Sequence, residues 1–283
     1  MRADLHAHTI YSDGSDMPEV VLEKAVEIGI DYLAFTDHDT TKWLSDEGVQ
    51  IQQKAKDMGI CLLRGLELST KEQESGTSAH ILGFWPGDKV HEAPQTERLC
   101  HQVGEERTQR SLEQAQRIRE MGYAISDVEI RGICKADQIF KHDVLKTMFS
   151  KGYIEEVMGE FYRAHFQKGQ DCYISHTYIS AMEAVQAITA DGGYAVLAHP
   201  GQQDNLWMLP QLKKAGLWGV ELYHPMHEPS YELQVRQKAK EYSLYMTGGS
   251  DYHGTHHKSR SLGQCILLDD EIHLLQEAKL LSF

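Results

Sequence analysis

The stretch ADLHAHT, Ala3–Thr9, followed by YSDGS, Tyr11–Ser15, sets two histidines and a carboxylate close together at the start of the chain. Successive side chains of a strand point to opposite faces, so His6 and His8 share a face and Asp13 enters from the next loop. A second polar strand end follows at YLAFTDHD, Tyr32–Asp39, where Asp37 and His38 stand together. Two exposed histidines or a hydrogen-bonded polar network would account for either stretch alone. Their recurrence at neighbouring strand ends points to metal ligation instead.

Working outward, a helix near Met17 to Ile28 separates the first two strands, with Pro18 in its first turn and Gly29 placed to end it. A helix near Leu44 to Met58 stops at Gly59, and the strands ICLLRGLELS and SAHILGFW come next. The alternation predicts parallel β/α units. From Pro94 to about His176 the pattern changes to polar helical stretches: ERTQRSLEQAQRIREMG, DQIFKHDVLKTMFSKG and a segment near Ile154 to Phe166. Residues 94–176 therefore read as an inserted, mainly helical subdomain, and 1–93 with 177–283 as the scaffold. Amphipathicity leaves open whether the inserted helices touch a ligand or only pack. The rhythm resumes with MEAVQAITADGG, YAVLAHPG, a helix around Leu206 to Ala215, GVELYHP, a helix around Pro229 to Tyr242, YMTGGSDYHG and a final strand at LGQCILL. Polar residues at so many strand ends favour an α/β fold closed, or nearly closed, into a β/α barrel over an open doubly wound sheet.

The 283 residues suffice for a large core, and 41% apolar with 25% charged residues is an ordinary globular composition. A formal charge of -14 opposes broad attachment to nucleic acid or anionic membranes. The five cysteines are scattered and odd in number, which fits a reducing cytoplasm better than a disulfide framework. No apolar run is long enough to span a bilayer, and none precedes Asp4, so neither membrane insertion nor secretion is expected. No obligate protein partner is implied.

Further candidate ligands are Glu67 in GLELS, His80 in AHILG, His199 in AHP, and Asp251 with His253 in SDYHG. Such mixed nitrogen and oxygen donors suit zinc, manganese or iron, whereas magnesium would favour a more oxygen-rich shell. A carboxylate such as Glu67 can bridge two ions, whose charge would lower the pKa of a water and stabilise a developing phosphoryl charge.

With these residues in place the chain resembles the PHP family, named for its polymerase and histidinol phosphatase members, in its branch of small metal-dependent phosphoesterases. His6 and His8 match the opening HxH motif, Asp13 the following Asp, His38 the TDH histidine, Glu67 the central Glu and His80 the next His. His199 matches the AHP histidine, and Asp251 with His253 the closing DxH. The resemblance implies a distorted PHP-type β/α barrel with a helical insertion and two or three divalent transition-metal ions, of Mn, Fe or Zn. It implies His6, His8, Glu67 and Asp251 around one ion, Glu67, His80 and His199 around another, and Asp13, His38 and His253 around a third.

Lys141, His142, His224, His227, Lys258 and Arg260 are the candidate phosphate-binding residues. Glu67, His142 and His227 are the candidate catalytic ones, either histidine being a possible acid for the leaving oxygen. Where the branch often carries Arg-Pro-His in its insertion, this chain has Phe140, Lys141 and His142, without arginine's bidentate fork. The expected activity is hydrolysis of a small phosphorylated sugar or nucleotide, a ribosyl 1,2-cyclic phosphate first. The alternatives are 3',5'-nucleoside bisphosphate dephosphorylation, 5'-to-3' RNA cleavage, and a nonenzymatic metal-stabilised binding module. No HExxH or complete P-loop pattern is present.

Overall fold

A computed structural model describes residues 1–72, 74–175, 178–256 and 259–281. Its elements run β1 (Ala3–Ala7), α1 (Pro18–Glu27), β2 (Tyr32–Phe35), α2 (Asp46–Asp57), β3 (Cys61–Lys71), β4 (Ser78–Trp85), α3 (Pro94–Glu120), α4 (Asp127–Ile133), α5 (Lys141–Ser150) and α6 (Glu160–His165). They continue with α7 (Ala181–Ala190), β5 (Tyr194–Leu197), α8 (Pro200–Gln203), α9 (Leu209–Ala215), β6 (Gly219–Tyr223), α10 (Pro229–Glu241), β7 (Tyr245–Gly248) and α11 (Asp269–Glu277). The boundary expected at residues 176 and 177 lies outside the described residues.

Among the described residues the strands form one sheet in chain order, β1 to β7. The sheet is a distorted, nearly closed barrel. It departs from the expected parallel pattern at β4, which is antiparallel to both β3 and β5. Only six residues separate Lys71 from Ser78, whereas a parallel crossover needs about a dozen or more. The chain therefore leaves β4 at the far rim of the barrel, the rim at which β5 also begins.

Helix α3 instead runs from that rim up to the mouth before the chain returns to β5. It begins at Pro94, earlier than its polar stretch indicates, and its 27 residues span about 40 Å. Asp191, just before β5 at the far rim, receives the Thr96 backbone N–H at 2.7 Å, a carboxylate matched to the positive end of the helix. Further along, α3 packs on α5, over a core drawn wholly from residues between 115 and 172, including Ile118, Ile130, Leu145, Met148 and Phe166. Separate cores lie between the sheet and its covering helices, one around Trp85, Val185 and Leu212, another around Leu22, Phe35 and Trp43.

The barrel closes between β7 and β1 through side chains and close backbone approach. Buried Asp4 accepts hydrogen bonds from the Ser250 N–H (2.9 Å) and hydroxyl (2.6 Å) and from the Gly263 N–H (2.8 Å). The final strand expected at LGQCILL is a single antiparallel bridge, Ala3 to Leu267. Its ladder cannot extend because Asp4 holds Gly263 in a turn. Helix α11, which follows, was not expected; Asp269, Asp270 and Glu271 occupy its first turn, where acidic groups suit the helix dipole.

Gly249 sits at this seam, where an added Cβ would lie 2.5 Å from the His6 nitrogen and 2.9 Å from its Cα. Backbone on one side leaves no rotamer to yield. Gly249→Ala should therefore lower stability by about 1–3 kcal/mol, read as a lower thermal midpoint, and loosen His6. An unchanged midpoint would show that the seam tolerates separation.

Candidate metal centre

The candidate ligands converge at one rim. His6 is the fourth residue of β1 and His8 follows its end, whereas His199, Asp251 and His253 lie in the segments leaving β5 and β7. Glu67 and His80 were expected at strand ends, yet Glu67 lies inside β3, which continues to Lys71. His80 stands near the start of β4, and the antiparallel direction brings that start to the rim where the parallel strands finish. Ser69 is its direct partner.

Glu67 is the hub. Its Oε1 is 2.8 Å from His80 Nδ1 and 2.8 Å from His199 Nε2, while Oε2 is 3.3 Å from His6 Nε2, 3.1 Å from His8 Nε2 and 3.4 Å from His38 Nδ1. Asp251 Oδ1 lies 3.4 and 3.2 Å from the same nitrogens of His6 and His8. Asp13 lies 3.2 Å from His253 Nε2 and 4.0 Å from His38 Nε2. Donor separations of this size match the edges of a coordination tetrahedron with ~2.0–2.1 Å bonds, about 3.3 Å. Three overlapping groups can each hold an ion: His6, His8, Glu67 and Asp251; His38, Glu67 and His80; and His8, Asp13, His38 and His253.

The protonation states of the Glu67 and Asp13 carboxyls and of the His38, His199 and His253 imidazoles suit cations. Burial alone would raise the Glu67 and Asp13 carboxyls, but the surrounding imidazoles hold both well below the usual range. Burial lowers His38 to about 3, and lowers His199 and His253 as well, leaving neutral nitrogen donors. For His6, burial is outweighed by Glu221 and Glu67, and its pKa rises to about 10.

A second ring of buried carboxylates positions the first. Glu221, in β6, bonds His6 Nδ1 at 3.0 Å and accepts the His199 N–H at 2.7 Å. Asp37 joins Thr9, Ser12 and the Trp43 indole, including Thr9 N–H at 2.8 Å and Trp43 Nε1 at 2.8 Å. It thus holds the loop that carries Asp13 and stands outside the ligand groups. Glu221 was missed in the sequence; a lone acid inside the strand GVELY, with no room for it in an apolar core, was the available signal.

Two expected phosphate ligands are engaged elsewhere. His227 accepts the Gly201 N–H on Nε2 (3.0 Å) and donates from Nδ1 to the Leu222 carbonyl (2.8 Å), so neither nitrogen is left for a leaving oxygen. His224 accepts the Met226 N–H on Nδ1 (3.1 Å), which directs its Nε2–H to Asp251 Oδ2 at 3.2 Å. Lys258 lies outside the described residues. Lys141, His142 and Arg260 do line a cavity of about 380 Å³ that opens onto the ligand groups. Arg107 and Arg110 of α3 join them there, unforeseen because the sequence cannot say which face of a polar helix meets the barrel. Arg107 pairs with Asp39 and bonds Ser69 Oγ at 2.7 Å. A larger groove along another face of α3, about 900 Å³, carries Glu47, Glu97, Glu105, Glu113, Asp127 and Asp137 against Lys42 and Arg119; its field repels phosphate.

The PHP domain family matches residues 4–196. The chain is 37% identical over 255 residues to a phosphoribosyl 1,2-cyclic phosphate 1,2-diphosphodiesterase of Eggerthella lenta, covering 90% of this chain and 95% of that protein. It is 27% identical over 266 residues to a 3',5'-nucleoside bisphosphate phosphatase of Chromobacterium violaceum, covering 92% and 90%. In fold it is similar to a Bifidobacterium adolescentis protein assigned to the metal-dependent phosphoesterases, with a TM-score of 0.83 at 24% identity over 96% of this chain and 94% of that one.

Because Glu221 orients His6 and the backbone of His199 together, Glu221→Gln should weaken metal retention roughly 10–100-fold with the fold intact. Competition with a chelator, followed by metal counting and circular dichroism, measures this; unchanged affinity would remove the orienting role.

Proposed function

The chain belongs to the PHP domain family, and on that premise we propose that it hydrolyses a phosphoester of a small phosphorylated sugar, phosphoribosyl 1,2-cyclic phosphate being the first choice. The observation that carries this reading is one cavity whose floor is a cluster able to hold metals and whose walls bear Arg107, Arg110, Lys141 and Arg260. About 380 Å³ is within the ~300–1,000 Å³ of small-molecule sites. A purely structural metal module has no use for a cation-lined opening onto its ligands.

Two or three divalent transition ions, of Mn, Fe or Zn, held by the nine ligands His6, His8, Asp13, His38, Glu67, His80, His199, Asp251 and His253, supply Lewis acidity and a lowered water pKa. Glu67 spreads its charge between two imidazole groups, one at each oxygen. Arg260, beside Asp251 and bonded to Gln202 Oε1 at 3.0 Å, donates to a non-bridging phosphoryl oxygen. His142, 3.9 Å from Asp13, holds a proton for the departing sugar oxygen. Water adds to phosphorus opposite that oxygen, the P–O bond breaks, and the ring of the cyclic diester opens.

The main alternative is a 3',5'-nucleoside bisphosphate, which brings two phosphates to the same cavity; short 5'-phosphorylated RNA is the third. The charge of -14 weighs against a long polyanion. No described helix is long and apolar enough to cross a membrane. All five cysteines are free, in keeping with a reducing cytoplasm. We treat residues 94–176 as an inserted subdomain that helps shape the cavity.

Removing transition ions from folded protein should abolish turnover, and reloading with Mn, Fe or Zn should restore it to different extents; full activity in verified metal-free protein would sink the mechanism. Glu67→Gln should cost on the order of 100-fold or more in kcat/KM or strip metal, and metal counting separates the two outcomes. Among phosphoribosyl 1,2-cyclic phosphate, nucleoside 3',5'-bisphosphates and short 5'-phosphorylated RNA, the first should give the highest kcat/KM. Progressive degradation of RNA with little turnover of either small ester would overturn the substrate choice.

A further inference from the structure

We propose that Arg110 and Lys141 form a second anion subsite, seating a phosphate of the substrate other than the one hydrolysed; this rests on the reading of the substrate as a phosphorylated ribosyl ester. The carboxylates lining the cavity are Asp13, Glu67 and Asp251, all of them in the ligand groups. Of the described cations around it, Arg107 is paired with Asp39 and Arg260 with Asp251. Arg110 and Lys141 form no close ion pair with a carboxylate among the described residues; Glu106, four residues back on α3, and Asp39 act on Arg110 only at longer range.

Both are held facing the cavity by aromatic rings. The Arg110 guanidinium carbon is 5.3 Å from the centroid of Tyr178, and Arg107 flanks the same ring at 5.6 Å. Lys141 Nζ lies 5.3 Å from the centroid of Tyr162 and 3.5 Å from its hydroxyl. Ring contact fixes where each charge points, but it does not neutralise it. Two guanidiniums on one ring repel each other, and an anion between the walls relieves that repulsion. The subsite lies close to the chemistry, because His142, next to Lys141, reaches within 3.9 Å of Asp13. One sugar can therefore carry one phosphate to the cluster and present another to Arg110 and Lys141. The two cations come from α3 and from the first turn of α5, so the inserted helices read the distal phosphate while the barrel holds the reacting one.

The test uses metal-loaded full-length protein. Wild type, Arg110→Gln and Lys141→Met are compared on phosphoribosyl 1,2-cyclic phosphate and on the ribosyl cyclic phosphate without the distal group. Wild type should prefer the former by roughly 100-fold in kcat/KM. Arg110→Gln should lose most of that preference, chiefly through KM, with a loss at least about tenfold greater on the phosphorylated ester. Lys141→Met should behave the same way, more weakly. Equal losses on both esters, or a preference kept in both variants, would overturn the subsite. Calorimetric binding of ribose 5-phosphate should weaken at least about tenfold in Arg110→Gln; unchanged binding also overturns it. If neither ribosyl ester turns over, the substrate reading has failed. The subsite is then upheld by an Arg110-dependent gap between nucleoside 3',5'-bisphosphate and 3'-monophosphate, and overturned by its absence.

Discussion

A carboxylate taken out of water must find positive charge or hydrogen-bond donors, and Glu67, at 1% exposure, sets that demand at the middle of the barrel mouth. Five histidines and the cations they can hold answer it. Around this centre the barrel spends four more buried acids, Asp4, Asp37, Asp39 and Glu221, on fixing the segments that leave its strands. Asp4 ties β1 to the β7 exit, Asp37 fixes the Asp13 loop, Asp39 takes the Ser69 N–H at 2.8 Å, and Glu221 clamps His6 and His199. The inner acids face open nitrogen donors, whereas the outer ones are taken up by backbone N–H groups, hydroxyls, the Trp43 indole, Arg107 and the rear nitrogen of His6. That difference separates residues fit to bind an ion from residues that aim them.

Much of this was legible because strand periodicity fixes which side chains share a face. HxH, spanning the end of β1 and the residue after it, projects its histidines together, whereas the DxH after β7 leaves strand geometry at Asp251 and sends its two residues to different ligand groups. Glu67 and His80 were legible as residues but misplaced at strand ends, since their position depends on the β3–β4 hairpin; the short connection was the clue. Glu221 reaches His6 across 215 residues and Arg107 reaches Asp39 across 68, and no local spacing announces either contact. His224 and His227 resemble ligands in sequence, yet the Met226 N–H and Asp251 claim the nitrogens of the first, and the Gly201 N–H and Leu222 carbonyl those of the second.

The rim also carries conformational strain. Asp39, His199 and Asp251 adopt φ of 52°, 25° and 49°, a region costing non-glycine residues roughly 1–3 kcal/mol each. Glycine would relieve the backbone but could not supply a carboxylate or an imidazole. At Asp39 the carboxylate secures Ser69 and Arg107, so strain is held by the same bonds that join the barrel to α3.

Helix α3 starts at the far rim, where Asp191 caps it, and reaches the mouth thirteen residues later at Arg107, a rise of about 20 Å. The helix is in effect a measuring rod, zeroed at one end of the barrel and read at the other. Removing a single residue between Pro94 and Arg107 would turn everything beyond it by about 100° and aim its cations away from the mouth. Adding seven would keep nearly the same face while lifting it about 10 Å. Insertions and deletions in this half of the helix are thus quantised: whole turns slide its cations along the mouth, and fractions of a turn swing them off it.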